Sequence, residues 1–211
     1  MSKQPRSENE IQKIRNTILE SALDIISEEG YQSFTMRKLA SRIRMTAANI
    51  YNYYGNKDSI YLALVIEGFT ILHHDMSTAY ASENNPAARW QKVFDAYYQF
   101  GIAYPHHYDI MFSLPTPRYN DFVGTELEDT AAIEMDLSNR IIEIAVQSVV
   151  DAAGNGNAIS REEAQQRTVE AWSMLHGLLS LKNSRVLQYV ITDIDSIYRH
   201  FLDDLQRNIS G

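Results

Sequence analysis

The chain of 211 residues contains no cysteine. This absence excludes disulfide scaffolds, thiolate metal sites and cysteine nucleophiles, and it is compatible with a reducing compartment. Long apolar runs are also missing, since the longest covers only residues 60–66 and is far too short to cross a bilayer. The first ten residues are polar and lack the apolar core of a signal peptide. We therefore expect a cytoplasmic protein.

Acidic residues are absent from residues 30–57, although the whole chain carries a net charge of −8. Residues 1–60 hold nine Lys or Arg and seven Asp or Glu, whereas residues 61–211 hold ten and twenty. A basic stretch without acidic neighbours can face phosphates without self-repulsion. Its basic residues are Arg37, Lys38, Arg42, Arg44 and Lys57. A solvated basic surface would show the same bias, so the charge alone does not decide the function.

Apolar residues recur with a helical period through most of the chain, and no strand alternation of useful length is present. The pattern predicts an all-α fold. Ser7 and Glu10 form a capping box that opens a first helix, and Gly30 ends it. A short second helix starts at Thr35, and Thr46 is a good N-cap for a third. The third is expected to end near residue 55, with later helices over 56–82, 86–103, 106–112, 121–153, 160–183 and 191–208 and loops at 113–120 and 154–157.

Residues 34–57, FTMRKLASRIRMTAANIYNYYGNK, contain two short helices joined by a turn of about three residues. This spacing is typical of a helix-turn-helix. In the second of the two helices, Ile50 and Tyr54 stand four residues apart and can both point inward. The remaining positions carry small or hydrogen-bonding side chains, which permit close entry into a major groove and pairing of Asn with adenine. These outward positions are Ala47, Ala48, Asn49, Tyr51 and Asn52.

Charged and hydroxyl side chains flank this helix. Tyr53 and Lys57 can hold phosphates at its far end, and Arg37 can reach a guanine or a phosphate. An ordinary bundle of three amphipathic helices is the alternative, but tyrosines at 51 and 53 would be unusual on an idle surface. Arg44 lies in the turn, where its charge suits DNA.

The segment resembles the DNA-binding domain of the TetR family of regulators over about residues 10–60. The matching residues are Phe34, Thr35, Leu39, Ala40, Thr46, Ile50, Tyr51, Tyr53, Tyr54, Lys57 and Asp58. The resemblance implies DNA contacts from Thr35, Arg37, Thr46, Ala47, Asn49, Tyr51, Asn52, Tyr53 and Lys57. The family commonly has Gly where this chain has Arg44, and a positive φ at Arg44 would cost about 1 kcal/mol.

Two C-terminal segments, YPHHYDIMF at 104–112 and AWSMLHGL at 171–178, resemble a TetR subgroup with a Trp…His-Gly signature. The family implies a ligand pocket in this region and dimerisation through the last two helices. Most aromatic residues between 90 and 112 are expected in the core, but tyrosine hydroxyls in apolar surroundings suit a small-molecule site. The candidate ligand-binding residues are Trp90, Tyr97, Tyr104, Tyr108, Met111, Trp172 and His176. We expect an apolar or aromatic effector.

Other chemistry finds little support. The pairs His73-His74 and His106-His107 could suggest a metal, but adjacent helical residues point about 100° apart and cannot both face one ion. His176 could equally be a hydrogen-bonded core residue. The chain contains no G-x-S-x-G, phosphate loop, dinucleotide fingerprint or H-E-x-x-H motif. We therefore expect no enzyme, no metal and no cofactor.

The sequence predicts an all-α protein with a three-helix helix-turn-helix domain at 1–60 and a helical ligand-binding and dimerisation domain at 61–211. The predicted function is a homodimeric, ligand-responsive repressor that binds a palindromic operator and releases it when a small molecule binds. A helical small-molecule-binding protein or enzyme that does not read DNA is the alternative. The expected dimer surface comprises Val169, Trp172, Leu175, Leu178, Leu179, Ile194, Ile197, Phe201 and Leu205. Gly177 would let two helices approach closely.

Overall fold

The computed structural model describes residues 7–154, 159–191 and 193–210 of the chain, and this part contains α-helices but no strand. The all-α fold is thus confirmed. The helices are α1 (Glu8–Glu29), α2 (Met36–Arg42), α3 (Ala47–Tyr51), α4 (Lys57–Ala81), α5 (Pro86–Ala103), α6 (Pro105–Tyr108), α7 (Tyr119–Phe122), α8 (Glu128–Ala153), α9 (Arg161–Asn183) and α10 (Ile194–Ser210). Short 3₁₀ turns lie at Tyr31–Ser33 and Leu187–Tyr189, and a π-helical segment lies at Asp109–Ser113.

Polar caps begin the helices where the sequence places them. The backbone N–H of Ser7 donates to the Glu10 carboxylate at 2.8 Å, and the Glu10 N–H donates back to the Ser7 hydroxyl at 3.4 Å. The hydroxyls of Thr35 and Thr46 each accept from the backbone N–H three residues later, at 3.2 Å. These bonds satisfy N–H groups that have no partner inside the helix. The predicted starts of α1, α2 and α3 are therefore confirmed.

Two helix boundaries differ from the prediction. The long helix was expected from residue 121, but α8 begins at Glu128. Gly124 has φ +78° and separates α8 from the short helix α7. A positive φ of this kind breaks a right-handed helix. The third helix ends at Tyr51 rather than near residue 55. Residues 155–157 of the predicted loop lie outside the described residues.

Packing divides the chain into two compact units. The first comprises the described parts of Met1–Gly68 and His106–Glu134, and the second comprises those of Phe69–Pro105 and Met135–Gly211. Both α4 and α8 therefore begin in the first unit and end in the second. These two units are defined by packing. The division into a DNA-binding domain and a ligand-binding domain at residue 60 is a division of function, and it stays a prediction.

The first unit has a core built from α1, α2, α3 and the start of α4. Ile18, Ile25, Leu39, Ile50 and Ile60 are fully buried. Each is an apolar residue on the inner face of its helix, and burial of such a side chain typically contributes about 1.5–3 kcal/mol. The core fixes the short helices α2 and α3, which are too short to be stable alone.

The second unit is held by contacts between α5, α8, α9 and α10. A Cβ added at Gly101 of α5 would lie 2.6 Å from the Leu179 Cδ1 atom of α9, so the two helices approach closely at this glycine. The ring of Tyr98 stacks on that of Tyr198 with centroids 3.8 Å apart. Asp151 of α8 accepts hydrogen bonds from Tyr80 and Arg89 at 2.7 and 2.8 Å.

This packing corrects part of the expected dimer surface. Leu175, Leu179 and Phe201 are buried within the chain itself and cannot lie on an exposed stripe. The apolar residues of α9 cover more than one face, and the face of Leu175 and Leu179 packs inward. The exposed members of the predicted set are Val169, Trp172 and Ile197. Leu178 is half-buried, and the side chains of Ile194 and Leu205 lie outside the described residues.

Candidate nucleic-acid interface

The chain leaves α1 through a backbone conformation that only glycine adopts readily. Gly30 has φ +81° and ψ 157°, a region that is strained for every residue with a Cβ. The turn leads directly into the 3₁₀ turn that begins with Tyr31, and Thr35 then caps α2. Gly30 therefore sets where Tyr31 and α2 begin.

A second unusual conformation lies in the turn between α2 and α3. Arg44 has φ +54°, and the following N–H of Met45 donates to the Ala40 carbonyl at 2.9 Å. This bond closes the C-terminal end of α2 in the way common for left-handed caps, at which glycine is usual. The strain expected at Arg44 is present. Its side chain is exposed to solvent.

Helix α3 separates its residues into an inner and an outer set. Ile50 is fully buried, as its spacing predicts, and Tyr54 is half-buried. Thr46, Tyr51 and Asn52 are exposed, with 52% of Tyr51 accessible. The half-buried members of the outer set are Ala47, Asn49 and Tyr53. Ala48 is also exposed, so the outer side of this short helix carries small and hydrogen-bonding side chains.

The basic residues of α2 and its flanking turn fall into two groups. Arg42 pairs with Glu28 at 2.8 Å, and Lys38 forms an ion pair with Glu29, so both are neutralised by the end of α1. The side chains of Arg37 and Arg44 are exposed and meet no carboxylate in the part of the chain that the structure describes. Of these four cations, only Arg37 and Arg44 remain available to bind a phosphate.

A groove joins several of the predicted contact residues. It has a volume of about 560 Å³ and lies between the start of α2, the end of α3 and the start of α4. The polar residues that line it are Gln32, Thr35, Arg37, Tyr51, Asn56 and Lys57. Two cations, two hydroxyls and two amides around a solvent-filled groove provide the donors that bind DNA backbone oxygens. The predicted residues Thr35, Arg37, Tyr51 and Lys57 are therefore brought together.

Tyr31 contacts Lys57, which lines this groove, and is not among the residues predicted from the sequence. Its ring lies 4.4 Å from the Lys57 Nζ atom, measured to the ring centroid. Its hydroxyl donates to the Asp58 carboxylate, and the edge-on ring of Tyr61 packs against it at 5.0 Å between centroids. Burial, together with the neighbouring Asp58 carboxylate, raises the pKa of Tyr31 above its ordinary value, so the hydroxyl stays protonated.

The residues predicted to bind an effector are distributed over both units. Trp90, Tyr97, Tyr104, Trp172 and His176 belong to the second, while Tyr108 and Met111 belong to the first. The indole N–H of Trp172 donates to the Tyr97 hydroxyl at 2.7 Å, which brings α9 and α5 together. Trp90, Tyr97, Tyr108 and Met111 are buried, whereas Tyr104 and Trp172 are partly exposed.

Two of these buried residues have distinctive surroundings. The indole N–H of Trp90 has no hydrogen-bond partner among the described residues, although the ring is 1% exposed. Met111 packs against α4 at Gly68. A Cβ at Gly68 would lie 2.4 Å from the Met111 sulfur, so a larger residue at position 68 would clash with Met111. Met111 lies in the π-helical segment, and its carbonyl accepts from the Arg118 guanidinium at 2.7 Å.

The described helices include none long and apolar enough to cross a membrane. In the described chain, no group of three or more His, Asp or Glu could hold a metal ion. A helix-turn-helix whose second helix exposes small and hydrogen-bonding side chains, beside cations that form no ion pair among the described residues, is typical of a DNA-binding protein.

Comparison with known families agrees with this class. The family described as "Bacterial regulatory proteins, tetR family" matches residues 18–64, and "Tetracyclin repressor-like, C-terminal domain" matches residues 90–205. The second match alone covers more than half of the chain. The chain belongs to the TetR family of DNA-binding transcriptional regulators, which are not enzymes.

Individual relatives are distant. An uncharacterized HTH-type transcriptional regulator of Mycobacterium tuberculosis is 25% identical over 182 residues, covering 85% of this chain and 74% of its own. The class D tetracycline repressor of Escherichia coli is 31% identical over 70 residues, covering 33% of this chain and 32% of its own.

Solved structures share the fold at low identity. A TetR-family regulator from Rhodococcus RHA1 has a TM-score of 0.75 at 15% identity, covering 93% of this chain and 97% of its own. A ketosteroid transcriptional regulator of Mycobacterium tuberculosis has a TM-score of 0.71 at 14% identity, covering 92% and 94%.

Proposed function

We propose that this regulator is a homodimeric, ligand-responsive repressor that reads a palindromic operator through α3. The observation that carries the proposal is the outer side of α3 and its C-cap, where Tyr51 and Asn52 are exposed and Asn49 is half-buried, while Ile50 is buried. Asn can pair with adenine in the major groove, and a tyrosine hydroxyl can donate to a base or phosphate. The two domains are proposed at 1–60 and 61–211, in a cytoplasmic protein.

The phosphate contacts are assigned to side chains around this face. Arg37 and Lys57 line the groove beside α3, and Arg44 extends from the strained turn. Together with Thr35, Thr46 and Tyr53 they would fix the register of α3 on the duplex, while Ala47 allows close approach. A dimer would present two such helices to successive major grooves about 34–36 Å apart.

Dimerisation is assigned to the exposed face of the last two helices. Val169 and Trp172 on α9 and Ile197 on α10 are all exposed in the isolated chain. Exposed apolar residues on neighbouring helices are typical of a subunit interface. Two helices from each chain would form a four-helix bundle around a two-fold axis, which matches the symmetry of a palindrome.

The effector is assigned to the C-terminal domain, which we place in the subgroup with the Trp…His-Gly signature. Trp172 and His176 carry that signature, and Trp172 is bonded to Tyr97. The unpartnered N–H of the buried Trp90 suits an effector that is mainly apolar or aromatic but carries one acceptor oxygen. An effector that binds better to a dimer with a different spacing of α3 would shift the population away from DNA.

The decisive experiment is operator binding by a base-contact variant. Gel shifts on the DNA that flanks the protein's own gene would identify the operator. Asn49→Ala should then cost on the order of 1–3 kcal/mol of binding free energy. Asn16→Ala on α1, outside the interface, is the control. Wild-type affinity in the double variant Asn49→Ala with Tyr51→Phe would refute the assignment of α3 as the reading helix.

A further inference from the structure

The position of one DNA-facing cation depends on a buried aromatic ring. Lys57 is the first residue of α4, and its long, flexible side chain has no carboxylate partner in the described part of the chain. Its Nζ atom lies 4.4 Å from the centroid of the Tyr31 ring. An ammonium over an aromatic face is attracted by the negative face of the ring, which restricts the freedom of the lysine.

The ring is itself fixed on two further sides. Tyr31 is 5% exposed, and Tyr61 packs its edge against the ring at an interplanar angle of 65°. The Tyr31 hydroxyl donates to Asp58, which follows Lys57 in the first turn of α4. Lys57 and its neighbour Asp58 thus both contact the side chain of Tyr31, which follows the end of α1 and the turn at Gly30. A buried ring held in this way can transmit its position to a flexible cation.

The bond to Asp58 has an electrostatic consequence. A carboxylate next to Lys57 would reduce the positive potential at the groove if it lay against the ammonium. The Tyr31 hydroxyl instead holds the Asp58 carboxylate at the N-terminus of α4, where the helix dipole also favours a negative charge. Lys57 therefore lines the groove beside Thr35, Arg37 and Tyr51, while the carboxylate of Asp58 is bonded to Tyr31.

We propose that Tyr31 is a positioning residue for operator binding, acting through Lys57 by holding its ammonium at the groove. Tyr31 does not touch DNA in this arrangement. The proposal rests on the assignment of Lys57 to a phosphate in the proposed function. The ring of Tyr31 is buried, whereas the lysine that it orients lines the groove.

The test weakens the cation–π attraction while keeping a six-membered aromatic ring at position 31. Tyr31→pentafluorophenylalanine reverses the charge distribution of the ring, and Tyr31→Phe retains it; both lack the hydroxyl, so their difference isolates the ring face. Operator dissociation constants of the full-length protein would be measured by fluorescence anisotropy between 50 and 200 mM salt. We expect the fluorinated variant to bind about three- to tenfold more weakly than Tyr31→Phe, with a shallower salt dependence.

A double-mutant cycle tests whether Tyr31 acts on operator binding through Lys57. In a Lys57→Met background, the fluorinated and Phe variants should bind the operator equally well, because the cation that senses the ring is gone. Circular dichroism would establish that each variant is folded at the temperature of the binding assay. A difference that persists in the Lys57→Met background would overturn the proposal, since Tyr31 would then act without Lys57.

The two assignments fail in distinguishable ways. If Lys57→Met binds the operator with wild-type affinity and salt slope, both the phosphate contact of Lys57 and the positioning role of Tyr31 are wrong. The reading of bases by α3 is tested separately by Asn49→Ala and is unaffected by that result. If Lys57→Met weakens binding while the fluorinated and Phe variants are equal, the contact stands and only the role of Tyr31 is refuted.

Discussion

Arg42 binds Glu28 with both ends of its guanidinium: Nη1 lies 2.8 Å from one carboxylate oxygen, and Nη2 lies 3.1 Å from the other. The carboxylate of Asp24 lies 3.9 Å from the same Nη2 atom. Hydrogen bonding within this pair lowers the pKa of Glu28 and raises the pKa of Arg42, so both groups stay charged. Arg42 is therefore engaged by α1, whereas Arg37 on the same helix is not.

This difference predicts unequal effects of two substitutions that remove the same charge. Arg37→Gln should weaken operator binding and reduce the slope of log affinity against log salt by about one, because one phosphate loses its cation, while Arg42→Gln should leave the slope nearly unchanged. The wild-type dimer, with about six or more charged groups at phosphates, should bind at least about a thousandfold more weakly at 200 mM than at 50 mM salt. Equal slopes for the two variants would show that ion pairing inside the chain does not decide which cation reaches DNA.

The strained turn at Arg44 predicts opposite effects on stability and DNA binding. Arg44→Gly should relieve the positive φ and raise the free energy of unfolding by about 1 kcal/mol, because glycine adopts this conformation without a Cβ clash. The same change removes a cation and should weaken operator binding. Urea denaturation and anisotropy measure the two effects.

Arg44→Gln provides the matched control, since it removes the charge but keeps the strain. Its stability should stay close to wild type while its operator affinity falls with that of Arg44→Gly. If Arg44→Gly is less stable than Arg44→Gln, the left-handed conformation is not the source of strain in this turn.

Local signals explain why much of the fold was predictable. The starts of α1, α2 and α3 depend on Ser7, Thr35 and Thr46, each of which bonds to an N–H three residues away. Such caps are contained in a few adjacent residues. The start of α8 was misplaced because Gly124 interrupts an otherwise continuous helical pattern, and a lone glycine does not by itself reveal a positive φ.

Tertiary contacts explain what the sequence did not reveal. Asp58, the partner of Tyr31, is 27 residues away, and Glu28 lies 14 residues from Arg42. No local pattern indicates either pair, so the sequence predicted neither the ion pair of Arg42 nor any role for Tyr31. The prediction that Leu175 and Leu179 lie on the dimer surface was wrong for the same reason. The apolar residues of α9 cover more than one side, and only packing, such as that of Leu179 against Gly101, selects the inner one.

Asp151 anchors the second unit through three donors, and this predicts a loss of stability in acid. Burial opposes its ionisation, but hydrogen bonds from Tyr80, Gln147 and Arg89 outweigh burial and lower the pKa of Asp151 below 3.8, its ordinary value. A lowered pKa in the folded state contributes stability above the ordinary value, and that stability is lost as the pH falls through the folded pKa.

Asp151→Asn should therefore cost on the order of 1–3 kcal/mol of unfolding free energy above about pH 5, because a partly buried hydrogen-bond network loses its charged acceptor. The difference from wild type should shrink as the pH falls below about 4. Urea denaturation between about pH 3 and 7 would record both. Asp136→Asn, which breaks an exposed ion pair with Arg140 on the same α8, should change stability by less than about 0.5 kcal/mol at every pH. A constant difference across this range for Asp151→Asn would contradict the linkage.

The two helical glycines of the second unit predict different roles. Gly101 is required by the chain itself, since a Cβ there would lie 2.6 Å from Leu179 Cδ1 and 2.9 Å from Cδ2. A Cβ at Gly177 in the middle of α9 would meet no heavy atom within 4 Å outside the nearby helix backbone. Glycine inside a helix costs about 1 kcal/mol relative to alanine, so we expect Gly177 to serve the close approach of a second copy.

Gly177→Leu tests this expectation without disturbing the interior. A Cβ at this position meets no heavy atom of the described chain outside the nearby helix backbone, so the variant should keep its wild-type helical content by circular dichroism. It should nevertheless separate α9 from the partner and give monomers by light scattering at micromolar concentration, with weak operator binding, because a monomer contacts only one half-site. Gly101→Leu should instead unfold the second unit, which distinguishes a disrupted interface from a disrupted core. A Gly177→Leu protein that stays dimeric and binds the operator as tightly as wild type would exclude Gly177 from the interface and place the two-fold axis on another face of the last two helices.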